Sequence, residues 1–186
     1  MEKILPNRGV YVIMVRSYGV IAKIIRFGMK VKMFLKGESG DTVNHADVLV
    51  DGMVSGSIAE GVTNRTVNTA YLNDGAKREL YVFKVRTNRY RKQDLHDFCL
   101  DCDNKKYEYL NFLWHAIYIL KHKWFGKRGK KAENRVYCVE YVAMGLNKLF
   151  PGMIAEPWRI DPDDLFNICK KNFQLIEVIN IPGRKK

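Results

Sequence analysis

Cys138 is the cysteine whose position best suits nucleophilic chemistry. It lies at the start of VYCVEYVAMGLNKLF, where apolar residues recur at helical spacing, so the sequence predicts a helix with Cys138 in its first turn. Free backbone N–H groups and the helix dipole at that end favour an anion, and therefore the thiolate form that attacks acyl carbons. A cysteine on an apolar helix is also a common core residue, and this alternative stays open at this point.

A base and a third group could come from an earlier hairpin, through His45 and Glu60. The pair Asp51-Gly52 between two extended runs predicts a two-residue hairpin turn. Extended from that turn, the register pairs His45 with Ile58 and places Glu60 diagonally across on the same face. From there a glutamate can reach an imidazole and hold its orientation. A one-residue slip would separate them, and a histidine at a strand end can also be purely structural.

The elements that must position these residues form a mixed pattern. Strands are predicted at 9–16, in the hairpin, at 79–86 and in the final run FQLIEVINI. Helices are predicted over 18–36, 94–103, 107–124 and around Cys138, and a short one opens at Asp161-Pro162. Because the hairpin interrupts any strict strand–helix alternation, the pattern indicates the α+β class.

The predicted helix over 18–36 is both basic and amphipathic. Val20, Ile24 and Leu35 are among its apolar positions, and Lys23 and Lys30 lie away from them. We expect the apolar side to dock on the sheet, with a helix lying on a membrane surface as the alternative.

Composition limits the class of protein further. The 186 residues are 47% hydrophobic and 12% aromatic, which excludes a wholly disordered chain and fits one domain. No apolar run approaches about 18 residues, so we expect no transmembrane segment. No secretory signal is apparent, and four irregularly spaced cysteines suggest reduced thiols, so the expected compartment is the cytosol.

The net charge of +12 implies attraction to an anionic surface or polymer. A basic run just before Cys138 could guide an acidic substrate to it, although a solvated loop is the simpler interpretation. The run includes Lys127, Arg128, Lys130 and Lys131. Aromatic residues interleave with these bases, but no nucleic-acid-binding motif appears, so nucleic acid is the weaker interpretation.

A second group of potential ligands is His96, Cys99 and Cys102, spaced as H-x-x-C-x-x-C. The spacing differs from the usual closed zinc patterns, so we favour a packed helix with partly buried thiols over a metal site. Cys169 is expected in the core. We predict neither a metal nor another cofactor.

Six stretches of the chain resemble the circularly permuted NlpC-type papain-like hydrolases of the YiiX/YebB group. In chain order they are VYVIMVRSYGVIAKIIRFGM, VNHADVLVDG, IAEGV, YEYLNFL, YCVEYVAMGL and EPWRIDPDDLFN. They follow the order of the family from about Val10 to Asn167. Val139 stands where the family commonly has serine, Ala46 follows the histidine, and the loop before the histidine is long.

This resemblance implies a single permuted papain-like hydrolase domain over 1–186, with a basic tail at 182–186. The implied fold is an antiparallel sheet packed against helices, one of which bears the nucleophile. Carried over by position, Cys138 is the nucleophile, His45 the general base and Glu60 the residue that orients the imidazole.

The resemblance also implies the chemistry, which is cleavage of an amide or ester bond through an acyl-enzyme. Cell-wall peptides or lipid-linked compounds are the implied substrates. Two alternatives stay open: a lipid acyltransferase resembling the lecithin retinol acyltransferase group, and a catalytically idle module that binds an anionic partner.

Overall fold

The computed structural model describes residues 5–37, 42–108 and 135–183. Within these residues the chain is an α+β protein built on a six-stranded sheet, in which all neighbouring strands are antiparallel. Its strands are β1 (Val10–Ser17), β2 (His45–Val50), β3 (Met53–Ile58), β4 (Gly61–Thr66), β5 (Arg78–Val85) and β8 (Gln174–Ile181). Across the sheet they lie in the order β4-β3-β2-β1-β5-β8.

Helices and one small ribbon complete the described residues. The helices are α1 (Val20–Lys36), α2 (Val67–Tyr71), α3 (Arg89–Asp101), α4 (Cys138–Leu149) and α5 (Pro162–Asn172), with a 3₁₀ turn at Pro157–Arg159. The ribbon pairs β6 (Lys106–Tyr107) in parallel with β7 (Arg135–Val136). The predicted helix over 107–124 lies almost entirely outside the described residues.

Alternation along β1 explains how the sheet carries a core on each face. Val12 and Met14 belong to a cluster that includes α3, α4 and α5, whereas Ile13 and Val15 belong to a second cluster with α2. Successive strand residues point to opposite faces, so a run of β-branched and apolar residues is suited to burial on both sides.

The Asp51-Gly52 turn is confirmed. Both residues have positive φ, at 45° and 86°, as a two-residue turn between strands of right-handed twist requires. Val50 pairs with Met53 across the turn. The predicted second extended run is two strands, because the chain reverses at Ala59 and Glu60 to form β4.

Helix α1 contradicts the expected docking direction. Its buried positions are Ala22, Met29 and Lys32, whereas Val20, Ile24 and Leu35 are exposed. The physical reason is an ion pair: Lys32 on the inner side contacts the buried Asp161 carboxylate of a distant segment. The helix also continues through Gly28 without a break. No helix in the described ranges is long and apolar enough to cross a membrane.

Candidate active site

Cys138 is the first residue of α4, as the sequence predicts. Tyr137 is the N-cap, in an extended conformation, and its backbone N–H donates to the side chain of Glu140. This is one half of a capping box, in which the carboxylate of the third helical residue satisfies the N–H of the cap. The Cys138 side chain therefore lies at the N-terminus of a capped helix, and the residue is only 3% exposed.

Side-chain hydrogen bonds fix α4 to the neighbouring strands. The Tyr141 hydroxyl pairs with the Ser55 hydroxyl of β3 at 2.6 Å, and Ser57 donates to the carbonyl of Val136 at 2.8 Å. The Tyr137 hydroxyl donates to the carbonyl of Ile160. These buried contacts hold the start of the helix against β3, so the position of Cys138 is determined by several elements rather than by one.

His45 opens β2, also as predicted, and the backbone before it is anchored to β1. The Asn44 backbone N–H donates to the Val15 carbonyl at 2.9 Å, and the Asn44 side chain accepts from the Ser17 backbone N–H at 2.7 Å. The His45 side chain is 21% exposed and is hydrogen-bonded to the Cys138 side chain. A base and a potential nucleophile from sequence positions far apart therefore meet in the fold.

Asp47 holds the other side of the imidazole. Its Oδ1 lies 3.0 Å from His45 Nε2, and its side chain is 1% exposed. Tyr71 of α2 donates its hydroxyl to Oδ2 at 2.7 Å, and Arg65 of β4 lies 3.5 Å from Oδ1. His45 and Asp47 are two residues apart on one strand, so both side chains leave from the same face of the sheet.

Gly56 of β3 provides the space that the Asp47 carboxylate occupies. A Cβ atom at position 56 would lie 1.7 Å from Asp47 Oδ1, far inside any permitted contact distance. The backbone there has an ordinary negative φ, so the need for glycine at this position is steric rather than conformational. The absence of a side chain on β3 therefore lets the carboxylate face the imidazole.

The electrostatics of these groups support one another. Burial lowers the pKa of His45, but attraction to Asp47 and Cys138 and the hydrogen bonds to both oppose that effect and raise the pKa to about 10. Burial also acts to raise the pKa of Asp47, yet His45, Arg65 and the Tyr71 hydroxyl bring it below its usual range. The site therefore favours a charged imidazolium beside an ionised carboxylate.

The prediction for Glu60 is wrong in its geometry. Glu60 is exposed in the turn between β3 and β4, and the contact with the imidazole belongs to Asp47. The paired residues of β2 and β3 run from the turn to Val48 and Ser55, short of the His45–Ile58 pair on which the prediction depends. The sequence did contain a signal for Asp47, because a carboxylate two residues after a histidine on a strand shares its face.

The other three cysteines are buried. Burial raises the pKa of Cys99, Cys102 and Cys169, which keeps these thiols protonated. Cys99 and Cys102 pack in the core with α4, and His96 lies on α3 beside Asp97. Among the described residues there is no cluster of three or more ligand side chains that could hold a metal ion.

The basic run before Cys138 lies outside the described residues. It includes Lys127, Arg128, Lys130 and Lys131, and most of the tail at 182–186 is outside them too. Their predicted role in guiding substrate stays a prediction.

No protein-family model matches this chain, and no curated protein sequence matches it. The resemblance to permuted papain-like hydrolases therefore stays a prediction, and the case for a function rests on the site geometry.

Proposed function

We propose that the protein is a cysteine hydrolase of permuted papain-like fold, which cleaves an amide or ester bond through an acyl-enzyme on Cys138. The observation that carries this proposal is the position of the His45 imidazole, hydrogen-bonded to the Cys138 side chain on one side and to the buried Asp47 carboxylate on the other. A nucleophile, a base and an orienting group in this arrangement are the requirements of thiol acyl transfer.

In the first chemical step the His45 imidazolium serves as the general acid. Asp47 engages Nε2, so Nδ1 is the ring nitrogen that serves the thiol. With His45 already protonated, the Cys138 thiolate attacks the carbonyl carbon, and a tetrahedral oxyanion forms. Collapse breaks the bond to the amine or alcohol, which leaves with the proton that His45 donates. A thioester on Cys138 is the product of this step.

The second step reverses these roles. Water loses a proton to His45 and attacks the thioester, the acid product departs, and the thiolate–imidazolium pair is restored. Asp47 keeps the ring oriented and stabilises its cationic form in both steps. The backbone N–H of Cys138, free at the helix start, is positioned to donate to the oxyanion.

A lipid acyltransferase is the second candidate, because α1 exposes several apolar side chains on the molecular surface. It would use the same thioester but pass the acyl group to an amine or alcohol instead of water. Intact-mass measurement of the products, with and without added acceptor amines, separates the two activities.

Thiol alkylation tests the proposed nucleophile without knowledge of the substrate. Iodoacetamide at mildly acidic pH should label Cys138 ahead of Cys99, Cys102 and Cys169, located by peptide mapping. His45→Ala should slow this labelling at least tenfold, because the imidazolium that stabilises the thiolate is lost. Cys102→Ala is the matched control and should label Cys138 at the parental rate.

Acyl donors test the reaction itself. Incubation with activated esters and with cell-wall-type peptides should add one acyl mass to the parent and none to Cys138→Ala. If another cysteine reacts first while Cys138 stays inert, the assignment of the nucleophile fails. Salt-sensitive binding of an anionic partner that survives Cys138→Ala, with no acyl adduct in the parent, would indicate the idle binding module instead.

A further inference from the structure

Helix α1 carries apolar residues on two opposite sides, and among the described residues only one of these sides is buried. Ala22 and Met29 face inward, at 7% and 6% exposure. The opposite side bears Val20, Ile24, Phe27, Phe34 and Leu35, with exposures from 62% for Leu35 to 83% for Phe34. These five positions recur at the spacing of one helix face, and we call them the outer stripe.

The outer stripe is larger than the scattered apolar residues of an ordinary surface. Isolated exposed apolar side chains need no explanation, whereas a contiguous group with two phenylalanines marks a surface that binds a partner. A helix with an apolar face and lysines along its polar side is typical of helices that lie in the interface of a bilayer.

Charge identifies the kind of partner. Lys23 and Lys30 are exposed along one border of the outer stripe, and the whole chain carries a net charge of +12. Anionic lipid satisfies both features, because acyl chains accept the stripe while headgroups neutralise the lysines. Nucleic acid would pair with the lysines but leave Val20, Ile24 and Leu35 in water. A second copy would bring the same lysines together, with like-charge repulsion.

The inner side of α1 is fixed to the rest of the fold, so the outer stripe is exposed without any change of conformation. Lys32 on the inner side pairs with Asp161 and lies 3.0 Å from Asp164 Oδ1, both at the start of α5. At the C-terminal end of α1, not far beyond Lys32, Gly37 closes the helix with a left-handed φ of 68°. The inner side is therefore fixed, and the outer stripe faces outward in the folded molecule.

We propose that α1 docks the protein on anionic membranes, with the outer stripe inserted at the level of the upper acyl chains and with Lys23 and Lys30 among the headgroups. The proposal stands apart from the catalytic assignment, since it uses none of Cys138, His45 or Asp47. A membrane partner would also bring lipid-linked acyl substrates close to the protein.

Vesicle co-sedimentation of the full chain tests the proposal, with Cys138→Ala as the parent so that turnover plays no part. Vesicles of phosphatidylcholine with about 30% phosphatidylglycerol should bind the protein. Vesicles of phosphatidylcholine alone should bind it at least tenfold more weakly. Phe27→Gln with Phe34→Gln should weaken binding about tenfold or more, because the largest inserting groups are gone.

The matched control is Tyr90→Gln with Leu100→Gln, two exposed apolar residues of α3, which should bind as the parent does. Thermal melting should show that both double variants fold, because the substituted side chains are exposed.

A second pair of variants tests the charge. Lys23→Gln with Lys30→Gln should weaken binding to the anionic vesicles about tenfold and reduce its dependence on salt. Lys148→Gln with Lys171→Gln removes two exposed lysines from other helices and should have a much smaller effect.

Three outcomes would overturn the proposal. The first is equal binding of the stripe variant and its α3 control. The second is binding to neutral and anionic vesicles alike. The third is a concentration-dependent dimer that the stripe variant dissociates, with no vesicle binding by the parent, which would assign the outer stripe to a second copy of the chain.

Discussion

Two regions of this protein bury charged side chains, and they do so for different ends. One is the site region, in which Asp47 lies between His45, Arg65 and Tyr71. The other is the α1–α5 junction, in which Lys32 pairs with Asp161 and Asp164. In each region a nearly inaccessible charge has an opposite charge beside it, as burial requires.

The two regions differ in the group that their chain of hydrogen bonds reaches. In the site region the chain of contacts runs from Tyr71 through Asp47 and His45 to the Cys138 side chain at a helix N-terminus. At the α1–α5 junction Asp161 accepts from the Asp164 backbone N–H as the N-cap of α5, so the contacts return to the helix that supplies them. A buried ion pair therefore marks a candidate catalytic site only where its hydrogen bonds lead to a reactive atom such as the Cys138 sulfur. Elsewhere, as with Lys32 and Asp161, it fixes one secondary-structure element to another.

Substitution of Gly56 should have the largest effect on the site region. Gly56→Ala places a Cβ 1.7 Å from Asp47 Oδ1, so the carboxylate must leave the imidazole or β3 must move. We expect turnover to fall to background and the midpoint of thermal unfolding to drop. Gly28→Ala is the matched control, because nothing lies within 4 Å of its added Cβ. It should keep full activity and stabilise α1 by about 0.5–1 kcal/mol. Equal activity in both variants would contradict the role of Gly56.

Asp47→Asn tests the orienting group with less disturbance. It should lower kcat/KM about a thousandfold, about 4 kcal/mol of transition-state stabilisation. Asp47 helps to raise the pKa of His45 to about 10, so the fall in activity at alkaline pH should move to lower pH in the variant. A pH profile of kcat/KM measures this shift, which a purely structural role would not produce.

Glu60→Gln is the control for this prediction. Glu60 is exposed in a turn, so the variant should change kcat/KM less than twofold at every pH. Loss of activity in Glu60→Gln with retention in Asp47→Asn would restore the prediction made from the sequence.

The parts of the site that the sequence predicts are those that depend on local chemistry. The Asp51-Gly52 turn follows from two residues that tolerate positive φ, and Cys138 at a helix start follows from the apolar spacing after it. His45 at the start of a strand is equally local. These features need no knowledge of which elements lie side by side.

The parts that it misses depend on contacts between distant segments or on how far a strand pair extends. Extending the hairpin register misplaces Glu60, because the pairing of β2 with β3 ends at Val48 and Ser55 and the chain turns into β4 after Ile58. The sequence also misses the docking side of α1, because the partner of Lys32 is Asp161, 129 residues away. Apolar residues on both sides of α1 gave no local reason to choose between them, and the ion pair decided it.

The α1–α5 junction should affect stability more than chemistry. Lys32→Met removes the partner of the buried Asp161 carboxylate and should lower the free energy of unfolding by about 3 kcal/mol, because an uncompensated buried charge is left behind. Urea unfolding at neutral pH measures this difference. Lys30→Met, on the exposed side of the same helix, should stay within about 0.5 kcal/mol of the parent. A similar loss in both variants would mean that the ion pair contributes little.

Asp163 should give a stability contribution with a distinctive dependence on pH. Burial and repulsion by Asp161 raise its pKa to about 7, against opposing contributions from Lys32 and the Val43 backbone N–H. Between pH 3.8, the ordinary pKa of an aspartate, and about pH 7, the folded protein holds a proton that the unfolded chain has released. The free energy of unfolding therefore falls as pH rises through this range, and the loss is complete above it.

Asp163→Asn should remove this contribution, since the amide carries no charge at any pH. The free energy of unfolding of the variant should match that of the parent near pH 4 and exceed it increasingly as the pH rises to 8, as measured by urea unfolding. Some slope should persist, because burial raises the pKa of Glu140 to about 7 as well. Asp94→Asn, an exposed acid of α3, should leave the parental profile unchanged. If Asp163→Asn instead loses stability at pH 8, the carboxylate is ionised and paired in the folded state. The α1–α5 junction would then resemble the site region in needing its negative charge.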